Sequence, residues 1–96
     1  MATQLEQIQI LVSGRVQGVG FRYAASDAAR ALELKGWVQN LIDGGVQIMA
    51  EGDSESINQF LKWCHSGPAM AAVTKVTIQE RKPIPKKSHL LFEILA

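Results

Sequence analysis

From Gln7 to Ser13, Ile8, Ile10 and Val12 alternate with Gln9 and Leu11, the period-2 pattern of a strand with one buried face. Gly14 to Gly20 holds three glycines in seven positions and predicts a loop. The spacing then turns helical from about Phe21 to Leu34. There Phe21, Ala24 or Ala25, Ala28 and Leu32 lay small apolar residues along one face, and Gly36 is expected to close the helix. Gly36–Ile42 and Val46–Ala50 flank Asp43-Gly44-Gly45 and predict a hairpin, because a tight turn needs the positive φ that glycine supplies. Asp53 or Ser54 is placed to cap a second helix that runs to about His65, with Ile57, Phe60, Leu61 and Cys64 at core spacing. Gly67-Pro68 ends it. Val73, Val76 and Ile78 mark a fourth strand, and His89 to Leu95 a short last one.

The order is strand, helix, strand, strand, helix, strand, with one short edge strand added. No repeat, linker or low-complexity segment interrupts it, so residues 1–96 are expected to form a single domain. A right-handed crossover from the first strand through the first helix to the second leaves few topologies. The one that fits is an α+β ferredoxin-like sandwich (βαββαβ plus an edge strand), an antiparallel sheet with two helices on one face. In that arrangement the first two strands end at the same edge of the sheet, where the first helix begins. The Gly14–Gly20 loop, the amino end of the helix and Asn40 should therefore converge.

That loop is the one segment with visible chemistry. Its glycines let successive backbone N–H groups turn toward one point, forming a concave nest for an anion. The helix behind it adds unpaired N–H groups and the positive end of its dipole. Arg22, in the first turn, opposes that dipole, and the conflict is relieved if a dianion lies between the two and accepts the guanidinium fork. On these grounds two readings stand: an anion site, and a glycine-rich turn beside an exposed arginine. The segment is neither a Walker A loop nor a GxGxxG dinucleotide fingerprint.

Composition narrows the partners. Ten Lys and Arg against nine Asp and Glu leave a net charge of +1, so nothing global draws the chain to nucleic acid or to an anionic membrane. One cysteine permits neither an internal disulfide nor a thiolate cluster. Met1 to Gln7 has no basic or apolar leader character, and Ala69–Val73 is too short to span a bilayer. A cytoplasmic monomer without membrane, nucleic-acid, metal or cofactor partners is expected.

The stretch Gly14-Arg15-Val16-Gln17-Gly18-Val19-Gly20-Phe21-Arg22 resembles the acylphosphatase signature Gly-x-Val-Gln-Gly-Val-x-Phe-Arg. With background usage near ~5–7% per residue type, seven fixed matches arise by chance less than roughly once in a million. Gly36-Trp37-Val38-Gln39-Asn40 with Asp43-Gly44 is similar to the second signature of that family, and Glu51-Gly52-Asp53 with Gly67-Pro68 and Val73 to a third, weaker element. The resemblance implies metal-independent hydrolysis of the carboxyl–phosphate bond of acyl phosphates, with no cofactor. It further implies that Arg22 and the loop from Arg15 through Val16, Gln17, Gly18, Val19, Gly20 and Phe21 bind the phosphate, while Asn40 positions the attacking water. Inorganic phosphate or sulfate should occupy the same anion site. Glu33 and Ala72 depart from the family, where a glycine and often an arginine are expected.

Other residues have plainer explanations. Cys64 and His65 are adjacent on a helix, so they point ~100° apart, and Cys64 belongs to the apolar stripe. His65 and His89 lack a third metal ligand. Arg81–Lys87 is basic, but Pro83 and Pro85 make it a solvated connection. Arg15 either adds field at the mouth of the nest or faces solvent. An RNA-recognition domain shares this order of elements but stacks bases on strand aromatics, and Val46–Ala50 has none. A non-catalytic anion-binding module, and a domain cut from a larger carbamoyl-transfer protein, complete the alternatives. The pairing of Arg22 with Asn40 favours catalysis over the first, and the Met1 start favours a free-standing enzyme over the second.

Overall fold

The computed structural model describes residues 4–95. Met1, Ala2, Thr3 and Ala96 lie outside them, and with them part of the Met1–Gln7 segment. The chain runs β1 (Leu5–Arg15), α1 (Phe21–Ala31), β2 (Lys35–Asn40), β3 (Val46–Asp53), α2 (Ser54–Ser66), β4 (Ala72–Pro83) and β5 (Phe92–Ile94). The strands form one sheet in the order β4-β1-β3-β2-β5, the ferredoxin-like arrangement.

The even-numbered residues of β1 set the buried face. Ile8, Ile10 and Val12 sit opposite Ala50, Ile48 and Val46 of β3, and Val38 of β2 sits opposite Ile48. All are buried, because the two helices cover this face. Helix α1 contributes Phe21, Ala25 and Ala29 at four-residue spacing, and α2 contributes Ile57, Phe60 and Cys64. Each large side chain so buried contributes about 1.5–3 kcal/mol. Trp63 ties the helices together, its ring centroid 5.3 Å from Phe21 and 5.9 Å from Phe60.

The sheet is mixed and not wholly antiparallel: β5 runs parallel to β2, with Gly36 opposite Phe92 and Val38 opposite Ile94. The cause is the connection over 84–91. Strand β4 finishes where Pro83 faces Glu6, and β5 starts beside Gly36, at the same end of the sheet. A connection that crosses one end must re-enter antiparallel to β4, which is the direction of β2.

Glu51 fastens that crossing. Its carboxylate is fully buried and accepts hydrogen bonds from the Ser88 and His89 N–H groups (2.8 and 3.1 Å), the Ser88 hydroxyl (2.7 Å) and the Gln7 amide (2.7 Å). Nδ1 of His89 lies 3.3 Å away.

Several boundaries move. Helix α1 stops at Ala31 and not Leu34. Glu33 takes a left-handed conformation (φ 59°), and the Leu34 N–H returns to the Ala29 carbonyl at 2.8 Å, a Schellman ending with glutamate in the usual glycine position. Gly36 does not close the helix but lies in β2, where a β-carbon would come within 1.9 Å of the Met49 carbonyl oxygen. Gly14 and Arg15 belong to β1 and not to the loop. Arg81, Lys82 and Pro83 continue β4. Proline is tolerated there because β4 is an edge strand whose outer N–H groups have no ladder partner, and Arg81 is held by Glu6 at 2.7 Å. The last strand begins at Phe92, three residues later than the pattern implied.

Candidate active site

Because β1 and β2 are both antiparallel to β3, they point the same way and end at the same edge. The segment from Val16 to Gly20 leaves β1 there, and α1 starts at its far end. Gly18 and Gly20 have φ of 74° and 77°, the left-handed turns that aim backbone N–H groups inward. Gly20 is also the residue before the helix, with no side-chain cap and no acidic residue in the first turn. The first helical hydrogen bond runs from the Ala24 N–H to the Gly20 carbonyl (3.0 Å). The N–H groups of Phe21, Arg22 and Tyr23 precede it and have no acceptor within the helix.

The loop is braced from below. The Gln17 amide donates to the carbonyls of Leu41 (2.7 Å) and Gly45 (2.8 Å), joining the loop to the turn that follows Asn40. Asp43 Oδ1 accepts the Gly45 N–H at 2.9 Å and fixes that turn. Val16 and Phe21 are buried, and Val19 packs on the core, so alternate residues of the loop are anchored while Gly18 and Gly20 stay at the surface.

Arg22 is half-buried, and its Nη1 donates to the Leu95 carbonyl at 2.8 Å. Leu95 is itself held by its N–H on the Val38 carbonyl (2.8 Å). Asn40 closes β2, and its side-chain oxygen is buried with no hydrogen-bond partner. A buried acceptor without a donor is costly, of order 1–3 kcal/mol.

A small cavity of about 140 Å³ brings these groups together: Val16, Gly18, Gly20 and Phe21 from the loop and helix start, then Arg22, Tyr23 and Asn40. Of the residues singled out from sequence, Gln17 and Val19 brace the loop without lining the cavity. Arg15 lies outside it, exposed at the end of β1 opposite Ala72. Tyr23 and Leu95 were not foreseen. Tyr23 follows Arg22 directly and sits in the same first turn, a signal available in the sequence. Leu95 is 73 residues from Arg22 and offered none.

The remaining candidates lie elsewhere. Burial pushes the Cys64 thiol up to about 12, so it stays protonated at neutral pH. Among the described residues no three His, Cys, Asp or Glu side chains gather to hold a metal ion, and no helix is long and apolar enough to cross a membrane.

Comparison with known proteins gives one consistent result. A family model described as Acylphosphatase matches residues 8–94. An acylphosphatase of Trichormus variabilis is 44% identical over 84% of this chain and 80% of its own. One of Methylococcus capsulatus is 47% identical over 79% of this chain and 83% of its own. The crystal structure of acylphosphatase from Bacillus subtilis superposes with a TM-score of 0.88 at 36% identity, over 95% of this chain and 99% of that one. The chain thus belongs to the acylphosphatase family, enzymes that hydrolyse acyl phosphates.

Proposed function

We propose that this enzyme binds the phosphoryl group of its substrate in the cavity between the Val16–Gly20 loop and Arg22, and that Asn40 holds the attacking water. The unpartnered oxygen of Asn40 carries this reading: it faces the need for a donor inside the same cavity as the arginine and the helix start. Water supplies that donor. An amide oxygen accepts a proton's hydrogen bond but cannot remove the proton, so Asn40 orients and does not act as a base.

The chemistry asks for little more. The leaving group is a carboxylate, whose conjugate acid has a pKa near ~4, so it departs at neutral pH without being protonated. Phosphoryl transfer through a loose transition state makes small demands on the nucleophile. Arg22, the loop N–H groups and the helix dipole neutralise the phosphoryl oxygens, and Asn40 sets the water in line. No step calls for a metal or cofactor. The same groups would take inorganic phosphate or sulfate as competitive inhibitors. In this reading the enzyme acts as a monomer. With one cysteine the chain suits a reducing compartment, and we place it in the cytoplasm.

The test is steady-state hydrolysis of a simple acyl phosphate, with and without EDTA, together with phosphate binding by calorimetry. Activity is expected to survive the chelator. Asn40→Ala is expected to lower kcat by ~10²–10³, the scale of losing one positioned polar group, while phosphate affinity hardly changes. Tenfold weaker phosphate binding with normal turnover of bound substrate would instead make Asn40 a ligand of the anion.

A further inference from the structure

In-line displacement puts the attacking water and the departing carboxylate on opposite sides of phosphorus. The proposed position of that water therefore fixes where the acyl group lies, and this step rests on the assignment of Asn40 above. Asn40 lines the cavity, and its side-chain oxygen is buried. The leaving group must then point away from it, toward the exposed part of the lining.

The mouth holds very few side chains. Gly18 and Gly20 have none, and both are exposed. Val16 and Phe21 are each 1% exposed and belong to the core. Arg22 and Asn40 are half-buried and engaged with the anion or the water. Tyr23 is the one lining residue whose side chain is largely in solvent, at 67% exposure, and it stands in the first turn of α1 directly beside Arg22. A second depression, lined by Leu41 and the fully exposed Ile42, also touches Asn40. It is the more apolar-looking site, but it shares only Asn40 with the cavity, and in-line attack by a water held on Asn40 puts the acyl group on the side away from that residue.

We propose that the Tyr23 ring is the platform for the acyl group, and that it favours substrates with planar or apolar acyl groups. An aromatic face stacks on a flat ring or covers an alkyl chain, and such contacts add about 0.5–1.5 kcal/mol beyond area burial. Acetyl phosphate reaches the nest but extends too little to use the platform. The contribution is therefore one of selectivity between acyl groups, leaving phosphate binding and water attack untouched.

The experiment compares kcat/KM for benzoyl phosphate and acetyl phosphate in wild type, Tyr23→Ala, Tyr23→Phe and Ile42→Ala, with the inhibition constant of inorganic phosphate measured for each. Tyr23→Ala is expected to lower the benzoyl-to-acetyl ratio about 2- to 12-fold, the energy above converted at 1.4 kcal/mol per decade. Phosphate inhibition should stay within twofold. Tyr23→Phe should keep the wild-type ratio, since the ring and not the hydroxyl makes the contact. Ile42→Ala should keep it as well. An unchanged ratio in Tyr23→Ala, or a ratio lost in Ile42→Ala, overturns the proposal while leaving phosphoryl hydrolysis intact. A change in phosphate inhibition equal to the loss of kcat/KM in Tyr23→Ala overturns it too, since the ring would then serve the nest. Failure of the parent reading shows separately, as an Asn40→Ala variant that binds phosphate tenfold more weakly but turns over bound substrate normally.

Discussion

Nη1 of Arg22 donates to the backbone carbonyl of Leu95 at 2.8 Å, joining the first turn of α1 to the residue that follows β5. One nitrogen of the guanidinium is thus committed to the protein, and the side chain is held in place before any anion arrives. The other N–H groups take the phosphate in the role proposed above. Lysine offers a single ammonium on a flexible stem and cannot divide itself in the same way.

Arg22→Gln is therefore expected to raise KM and lower kcat together, because the role proposed for Arg22 has it touching phosphate in both ground and transition states. Arg22→Lys should recover little. Loss of a charge-assisted hydrogen bond costs about 1.5–3 kcal/mol, or roughly 10- to 100-fold in kcat/KM. Steady-state kinetics on folded variants checks this. A lysine variant within threefold of wild type would show that charge alone suffices.

Glu51 predicts a pH dependence of stability. Burial acts to raise its pKa, but the hydrogen bonds from Ser88, Gln7 and His89 prevail and bring it from 4.5 down to about 2. The folded value is the lower one, so the stabilisation is complete above the unfolded pKa near 4.5 and fades as pH falls toward 2. At 1.36 kcal/mol per unit, the amount at stake is about 3 kcal/mol. Glu51→Gln should be less stable at neutral pH by a similar amount and should lose less than wild type between pH 5 and pH 2. Urea unfolding across that range measures the difference. Parallel pH profiles for the two proteins would mean that the carboxylate charge is not what fastens residues 88 and 89.

Glu33 predicts the opposite direction of change. A residue with a β-carbon at φ 59° costs roughly 1 kcal/mol relative to glycine, which enters the left-handed region freely. Part of that gain is offset by the greater freedom of glycine in the unfolded chain. Glu33→Gly should still stabilise the protein by about 0.5–1 kcal/mol without altering kinetics, since the residue lies at the opposite end of α1 from Arg22. Destabilisation would show that the glutamate side chain makes a compensating interaction.

The elements that were legible in the sequence are those written in local pattern. Ile8, Ile10 and Val12 announced a strand, and Ile57, Phe60 and Cys64 a helix face, because burial repeats at the period of the backbone. The loop glycines and Arg22 stood out because they break local rules. What escaped was set by contacts distant in sequence. Pro83 argued against a strand until β4 proved to be an edge. Gly36 looked like a helix stop, but its small size serves the approach of Met49 from the neighbouring strand. Glu51 carried no sign of its role, since its partners Ser88 and His89 lie on a connection 37 and 38 residues away. The same holds for Leu95, which meets Arg22 through its main-chain carbonyl.

The last prediction concerns the leaving group. The cavity holds no carboxylic acid, histidine or lysine. Its polar side-chain protons belong to the Arg22 guanidinium, the Asn40 amide and the Tyr23 phenol, and the phenol is mostly in solvent. A carboxylate needs no proton to depart. An alkoxide does, because its conjugate acid is about as weak as water, with a pKa near ~16. Simple alkyl phosphates should therefore bind the nest, and inhibit with constants near that of inorganic phosphate, while being turned over negligibly. Aryl esters of increasing acidity should gain rate steadily, and a plot of log kcat/KM against leaving-group pKa should fall along one steep line. Phosphate release from the series, measured with wild type and Tyr23→Phe, decides the matter. A flat dependence would reveal a proton donor that this cavity does not display. If the flat line steepened in Tyr23→Phe, that donor would be the phenol itself, and the ring at the mouth would be acting on the leaving oxygen as well as on the acyl group.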